Sequence, residues 1–187
     1  MEYKGLPLFS LDVVSGLPGI ELISLVDSPA VQREFIRFSE DKEIKMKVNE
    51  EKRIVTGVAL IPDQKVYRKD SSGEYYIQFS REAIERAVVK FFEDRHSADS
   101  NLMHEVEADG IVYFESYLIN RERGILPVEF ADLPDGTWIV SAKILNDKVW
   151  ELITSGVLRG FSIEGHLGVE QEISTLDELL EYINNYK

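Results

Sequence analysis

The chain has 187 residues, a formal net charge of −13, 44% hydrophobic residues and no cysteine. This length can bury one sizeable core, and the acidity would repel a phosphate backbone over most of the surface, so we expect no nucleic-acid partner. The lack of cysteine excludes disulfides, thiolate zinc sites and cysteine nucleophiles. The chain does not start with a basic segment and an apolar run, and no stretch approaches the ~20 apolar residues of a membrane span. We therefore expect a soluble intracellular protein that binds no membrane.

The first fifty residues have a weaker pattern than the rest. Glycines and prolines punctuate two short apolar runs, residues 20–26 and 35–38, and a charged stretch follows over 40–53. Such a segment is typical of an arm packed over a main body or of a leader. The sequence therefore predicts an N-terminal arm over residues 1–52 and one domain over residues 53–187.

The domain has strand and helix patterns without regular alternation. Helices are predicted after the capping residues Ser80, Asn146 and Thr175, and a turn at 69–73 predicts a hairpin. Glycines inside the strand patterns indicate bends or bulges. The predicted class is α+β, as a small, mostly antiparallel barrel, closed or partly closed and flanked by helices. The predicted strands cover residues 54–61, 74–79, 101–105, 110–120, 137–145 and 158–169.

A nucleophile in a chain without cysteine is Ser, Thr or Lys, and an activated serine generally needs a histidine base. The three histidines are His96, His104 and His166. His96 follows a helix in a polar stretch and is interpreted as a solvated loop residue. His166 shares a strand face with Ser162, but at ~3.3 Å per residue the two stand about 13 Å apart along the strand. A base for Ser162 must then come from another strand, and His104 is the other histidine predicted to lie on one.

The surroundings of Ser162 allow two interpretations. Gly160 and Gly165 bracket it, so backbone N–H groups could approach a substrate and stabilise an oxyanion. The same glycines are also compatible with a barrel strand that bends, and the residues alone favour this structural interpretation. The sequence contains neither the second histidine of a zinc-protease helix after His104 nor a phosphate-binding loop.

Six segments then occur in a characteristic order: residues 23–30, 57–62 with 66–68, 75–80, 101–104, 132–138 and 160–165. This ordered set resembles the XkdF-like serine proteases of tailed phages, which are relatives of the prohead proteases that share the herpesvirus assemblin fold. The resemblance implies a capsid-maturation endopeptidase, made in the host cytoplasm, enclosed in the procapsid and retained in the virion. Its implied partners are scaffold and capsid proteins, with homo-oligomers a further expectation. The alternative is a non-enzymatic capsid- or scaffold-associated protein that retains the protease fold.

The resemblance also implies roles for individual residues. The histidine of the family corresponds to His104 and its serine nucleophile to Ser162. The third member of the triad follows the serine, and we favour His166, with Glu170 and Glu164 as alternatives. On an extended strand Glu164 stands only about 6.6 Å from Ser162, where it would crowd the scissile peptide.

The implied reaction is acyl transfer. His104 takes the proton of Ser162, which attacks a peptide carbonyl. Backbone N–H groups near Gly160 or Gly165, aided by Arg159, stabilise the oxyanion. This chemistry needs no metal and no organic cofactor.

Overall fold

A computed structural model of the chain describes residues 1–27, 46–70 and 73–169, which form three β-sheets and two α-helices. The helices are α1 (Arg81–Glu93) and α2 (Asp147–Thr154), and short 3-10 turns lie at His96–Ala98 and Val128–Phe130. The strands are β1 (Glu2–Tyr3), β2 (Leu6–Asp12), β3 (Gly19–Val26), β4 (Lys47–Asn49), β5 (Ile54–Leu60), β6 (Val66–Asp70), β7 (Gly73–Phe79), β8 (Ser100–Leu102), β9 (Val106–Glu107), β10 (Ile111–Leu118), β11 (Trp138–Ile144), β12 (Gly160–His166) and β13 (Gly168–Val169).

The predicted α+β class is confirmed. One sheet has the order β1-β2-β7-β6, with β13 pairing β2, a second has the order β10-β11-β5-β4 and the third the order β12-β3-β8-β9. Most of the pairs are antiparallel, and β2 with β7 and β3 with β8 are parallel. Each strand order is a linear path, so the described residues contain no closed barrel. Neither of the described helices has the length and apolarity of a membrane span.

The core is built around β11 and α1. Trp138, Val140 and Ile144 face the larger apolar cluster, whereas Ile139 faces a smaller cluster on the other side of β11. A strand covered on both faces is almost continuously buried, as β11 is. The ring of Phe91 on α1 lies 5.6 Å from that of Trp138 and joins the helix to the sheet.

The capping residues in the sequence correctly predicted where the two described helices begin. The Ser80 hydroxyl accepts the Ala83 N–H at 3.1 Å and caps α1, as predicted. Ile84, Ala87 and Phe91 of α1 are buried, whereas the adjacent Phe92 is 40% exposed and packs edge-on against Phe91. Asn146 caps α2 as predicted. The helix predicted from Thr175 lies outside the described residues.

The hairpin predicted around residues 69–73 is formed by β6 and β7, which pair antiparallel up to Asp70 and Gly73, and residues 71–72 lie outside the described ranges. The preceding strand, β5, takes no part in it and pairs with β11 and β4 in another sheet. Which sheet a strand joins depends on contacts with residues that are distant in the sequence, and a local pattern does not encode these contacts.

The first 27 residues contribute strands to two of the sheets. β3 lies between β12 and β8, and Ile20, Ile23 and Leu25 have no exposed surface. β2 pairs with β7, which lies in the predicted domain over residues 53–187. The division into an arm over 1–52 and a domain over 53–187 stays a prediction, and the described part of that arm shares the core of the domain.

We expect Ile23→Ala to lower the free energy of unfolding by about 2–5 kcal/mol, because it leaves a cavity in a fully packed site. Ile144→Ala in β11 should have a similar effect, and Leu17→Ala at a partly exposed turn should have little. Chemical denaturation measures all three. If Ile23→Ala unfolded within about 0.5 kcal/mol of the wild type, the spread of an ordinary surface substitution, β3 would not belong to the core.

Candidate active site

Three adjacent strands place polar side chains in one row on the sheet β12-β3-β8-β9. Ser162 lies opposite Ser24, and Ser24 lies opposite Asn101. Residues directly opposite in neighbouring strands project from the same face. Ser24 is 0% exposed, and Ser162 and Asn101 are each 6% exposed. Since buried polar groups are costly without partners, this row predicts a hydrogen-bonded network.

The other face of β12 belongs to the apolar core. Phe161 is buried, and its ring lies 5.9 Å from that of Tyr113. A Cβ atom on Gly57 would lie 3.1 Å from the Phe161 ring, so glycine at this position in β5 gives the ring its space. The alternation of β12 therefore fixes Phe161 in the core and directs Ser162 and Glu164 to the polar face.

The network converges on one carboxylate oxygen, Oε1 of Glu164. The Ser24 hydroxyl donates to it at 2.7 Å and the Asn101 side-chain amide at 2.6 Å. Nδ1 of His104 lies 2.7 Å from the same oxygen and 3.1 Å from the Ser24 hydroxyl. The side chains of His104 and Glu164 are 38% and 31% exposed, so the pair sits at the edge of the buried row and is open to solvent.

The hydrogen bonds determine the charge of this carboxylate. Burial raises the pKa of Glu164, but the hydrogen bonds from Ser24, Asn101 and His104 outweigh it and hold the pKa below its usual value. Glu164 is therefore an anion at neutral pH. An ionised carboxylate only accepts hydrogen bonds, so Nδ1 of a neutral His104 must carry the proton, and Nε2 carries the lone pair.

This tautomer distinguishes two nitrogens with different chemical uses. Nδ1 is engaged by Glu164, as the orienting carboxylate engages the histidine in serine hydrolases. Nε2 is the nitrogen that can accept a proton. Ser24 lies at Nδ1 and donates to the carboxylate, so it supports the pair and is not a hydroxyl that His104 could deprotonate in this arrangement.

His104 reaches Glu164 from a turn, not from a strand. The sequence placed it at the end of a strand over 101–105, but β8 ends at Leu102 and a β-turn follows, closed by the Glu105 N–H to the Leu102 carbonyl. The central residues Met103 and His104 have φ of 57° and 63°, as in a type I′ turn. Such backbone conformations are uncommon outside glycine and are found preferentially at functional sites.

The structure does not bring His166 to His104. Nδ1 of His166 lies 2.7 Å from Oε2 of Glu21, the extra residue of a bulge in β3, and the imidazole is exposed. Glu164 is the carboxylate that contacts His104, because its side chain extends across β3 towards β8. The crowding expected for Glu164 assumed a side chain that rises straight from the strand. Glu170 lies outside the described residues.

The other predicted site residues are placed as follows. Gly165 lies at the bulge, where a Cβ atom would come within 2.0 Å of the Gly19 carbonyl oxygen, so glycine is required for the close approach of β12 to β3. Gly160 is buried at the start of β12. Arg159 donates its Nε to the Gly156 carbonyl at 2.7 Å. These contacts are structural, and a role in stabilising an oxyanion stays a prediction.

Ser162 lies next to the network without joining it. Within residues 1–27, 46–70 and 73–169, no hydrogen bond connects its hydroxyl to His104. The pairing of these two residues therefore stays a prediction. Over the same ranges no three side chains are grouped as metal ligands.

Sequence analysis did not single out Ser24 and Asn101. The signal for Ser24 was available, because it is the one serine inside the apolar run 20–26. A hydroxyl in the middle of a buried strand needs a partner, and a charged group is a strong one. Asn101 immediately precedes an apolar pair and His104, so its position carried a weaker form of the same signal.

Comparison with known proteins gives a family and a relative. Residues 41–170 match the model of the family described as "Putative phage serine protease XkdF". The chain is 28% identical over 166 residues to the phage-like element PBSX protein XkdF of Bacillus subtilis (strain 168). That match covers 82% of the chain and 54% of the relative, so the chain spans about half of the relative's length. No solved structure matches.

The ionised state of Glu164 should appear in the pH dependence of stability. A carboxyl whose pKa is lowered by folding contributes stability that is present above its unfolded-state pKa, near 4.3, and is lost as the pH falls through the folded-state pKa. We expect the stability difference between the wild type and Glu164→Gln to shrink as the pH falls from about 6 to 3.

Denaturant unfolding at several pH values measures this difference. Glu151→Gln, at an exposed position of α2 outside the network, is the matched control. A difference that stayed constant over this pH range would show that the Glu164 carboxylate gains nothing from its three donors.

Proposed function

The chain belongs to the phage XkdF family, and we propose that it is a serine endopeptidase of procapsid maturation that cleaves scaffold proteins, capsid proteins or itself by acyl transfer. The observation that carries the proposal is the 2.7 Å contact between Nδ1 of His104 and the ionised Glu164. This contact leaves Nε2 as the basic nitrogen, which is the arrangement that general-base catalysis requires.

In the proposed reaction, Nε2 of His104 removes the hydroxyl proton of Ser162 as the serine oxygen attacks the carbonyl carbon of a peptide bond. Glu164 stabilises the imidazolium that forms. The proton then passes from Nε2 to the leaving amine, and the C–N bond breaks to give an acyl-enzyme. Water, deprotonated by the same nitrogen, attacks the ester carbonyl; the bond to the Ser162 oxygen then breaks as that oxygen takes the proton back from Nε2, which releases the second product.

Ser162 is the nucleophile that we assign. It lies on the same face as Glu164, two residues away, and in the same row as Ser24. Its hydroxyl is not committed to the carboxylate, whereas that of Ser24 is. Hydrogen bonds of catalytic groups are often long without substrate and tighten in the reacting complex. Substrate binding would bring the Ser162 hydroxyl to Nε2, and Gly160, Gly165 and Arg159 are proposed to surround the oxyanion.

The assigned triad is therefore Ser162, His104 and Glu164. The geometry favours Glu164 over His166 because the imidazole of His166 is engaged by Glu21. Ser24 and Asn101 are positioning residues that act through Glu164. No metal or organic cofactor enters the reaction.

We extend the proposal to the fold and the setting. Bulges in β10, β5 and β3 curve the sheets, and Phe161 packs on Gly57 between the third sheet and the second. Such curvature is what an assemblin-like, partly closed barrel requires. The proposed setting is the procapsid in the host cytoplasm, with retention in the virion, and the proposed partners are scaffold and capsid proteins and further copies of the chain.

A non-enzymatic capsid- or scaffold-associated protein is the second candidate. One observation favours it: the described residues place no hydrogen bond between the Ser162 hydroxyl and His104. On this alternative the Glu164 network would stabilise the sheet without activating a serine.

A fluorophosphonate probe separates the two candidates, because it labels activated serines. We expect the wild type to be labelled at Ser162 and both Ser162→Ala and His104→Ala to lose labelling. Glu164→Gln should slow it by up to about 10⁴-fold, since the imidazole loses its orienting anion. Mass spectrometry of the labelled peptide identifies the serine, and circular dichroism checks the fold.

Ser155→Ala, at the exposed end of α2, is the matched serine control and should be labelled as the wild type is. Labelling that survives in Ser162→Ala and disappears in Ser24→Ala would make Ser24 the nucleophile. A wild type that is never labelled above the Ser162→Ala background would favour the non-enzymatic candidate.

A further inference from the structure

A cleft of about 680 Å³ opens beside the Glu164 network. It is lined by residues of β2, β3, β6, β7 and β12, together with His96 and Asp99 from the segment before β8. Glu164 itself lines the cleft and also contacts His104. The volume is within the roughly 300–1,000 Å³ of typical ligand pockets. A polypeptide bound at Ser162 could therefore place a nearby side chain in this cleft.

Six of the residues that line the cleft are apolar, and we call this part of the lining its floor. Such a surface binds methylene groups and excludes water, so it suits an apolar side chain or the aliphatic stem of a long polar one. The apolar residues of the lining are Leu11, Leu22, Ile77, Phe79, Ile163 and Leu167.

Two carboxylates lie at the rim, each held by a histidine. Oε2 of Glu21 is 2.7 Å from Nδ1 of His166, and Oδ2 of Asp99 is 2.7 Å from Nδ1 of His96. The second oxygen of each carboxylate accepts no hydrogen bond that is found within the described part of the chain. Each carboxylate is thus fixed in position and keeps an oxygen for a ligand.

The charge of the cleft favours a cation. When the imidazoles are neutral, the charged groups of the lining are the carboxylates of Glu21, Asp99 and Glu164 and the guanidinium of Arg68. The Arg68 guanidinium also donates a hydrogen bond to the Tyr67 carbonyl at 3.2 Å. The lining is then net negative. An acidic side chain would be repelled, and a purely apolar one would cover the carboxylates without pairing them, which is costly.

We propose that this cleft is the subsite for a long basic side chain, lysine or arginine, of the polypeptide substrate. The stem lies on the apolar floor, and the cationic head lies between Glu21 and Asp99. This assignment rests on the proposed function for its place in catalysis, because the cleft adjoins the His104–Glu164 pair. Binding of the side chain can be measured without any cleavage.

The experiment uses the full chain carrying Ser162→Ala, so that no peptide is consumed. Three probes are titrated: acetyl-Ala-Lys-Ala-amide and its norleucine and glutamate counterparts. Amide chemical shifts of Gly165 and Leu167 report occupation of the cleft. We expect the lysine peptide to bind at least about threefold more tightly than the norleucine peptide at low salt, as for a partly exposed ion pair. The preference should decline at high salt, and the glutamate peptide should bind most weakly.

Substitutions at the rim test the assigned partners. Glu21→Gln with Asp99→Asn should remove the preference for lysine over norleucine and leave norleucine binding unchanged. These changes preserve shape at partly exposed positions, and the two single variants serve if the double variant does not fold. Glu151→Gln, outside the cleft, should keep the full preference. Equal binding of lysine and norleucine peptides by the parent protein, or an undiminished preference in the rim variants, would overturn the proposal.

The outcomes separate this inference from the protease assignment. A lysine preference in a protein that no fluorophosphonate labels would leave a binding site for basic peptides and refute the protease. A labelled Ser162 in a protein without lysine preference would refute the subsite and leave the protease standing.

Discussion

The candidate site depends on a single carboxylate oxygen. Oε1 of Glu164 receives hydrogen bonds from Ser24 on β3 and from Asn101 on β8, and it holds Nδ1 of His104 at 2.7 Å. The strands that meet there come from three separate parts of the chain. Without the anion, a buried hydroxyl and a buried amide would lose their strongest partner, and the imidazole would lose the group that selects its tautomer.

The contact between Glu164 and Nδ1 of His104 also decides which of two neighbouring serines can react with the imidazole. Ser24 and Ser162 lie opposite each other on one face, and distance alone would select Ser24, which is 3.1 Å from the imidazole. Its contact is with Nδ1, the nitrogen that the carboxylate already engages. Chemistry at Nε2 needs a hydroxyl that is not bound to Glu164, and this condition selects Ser162. The two serines thus have separate roles, one in positioning and one in the reaction that we propose.

Sequence patterns located the parts of the fold that depend on neighbouring residues. The caps at Ser80 and Asn146 and the strand over β11 are local signals, and each is confirmed. The resemblance of short ordered segments also identified the family, which the match over residues 41–170 confirms.

The arrangement of the site could not be predicted in the same way. β3 lies beside β12, about 140 residues later in the chain, as the Ser24–Glu164 hydrogen bond illustrates. No periodicity predicts such a pairing. The position of His104 in a turn depends on two positive φ angles at non-glycine residues, which have no sequence signature. For these reasons the sequence favours His166 over Glu164 as the partner of His104 and does not single out Ser24.

The most direct test of this account is the tautomer of His104, read from the ¹⁵N chemical shifts of its imidazole above the pH at which it protonates. The account predicts a proton on Nδ1 in the wild type and its redistribution towards Nε2 in Glu164→Leu, which removes the acceptor while keeping a side chain of similar size. A wild-type imidazole that carries its proton on Nε2 would contradict the account, because the nitrogen assigned as the base would then have no lone pair to accept a proton.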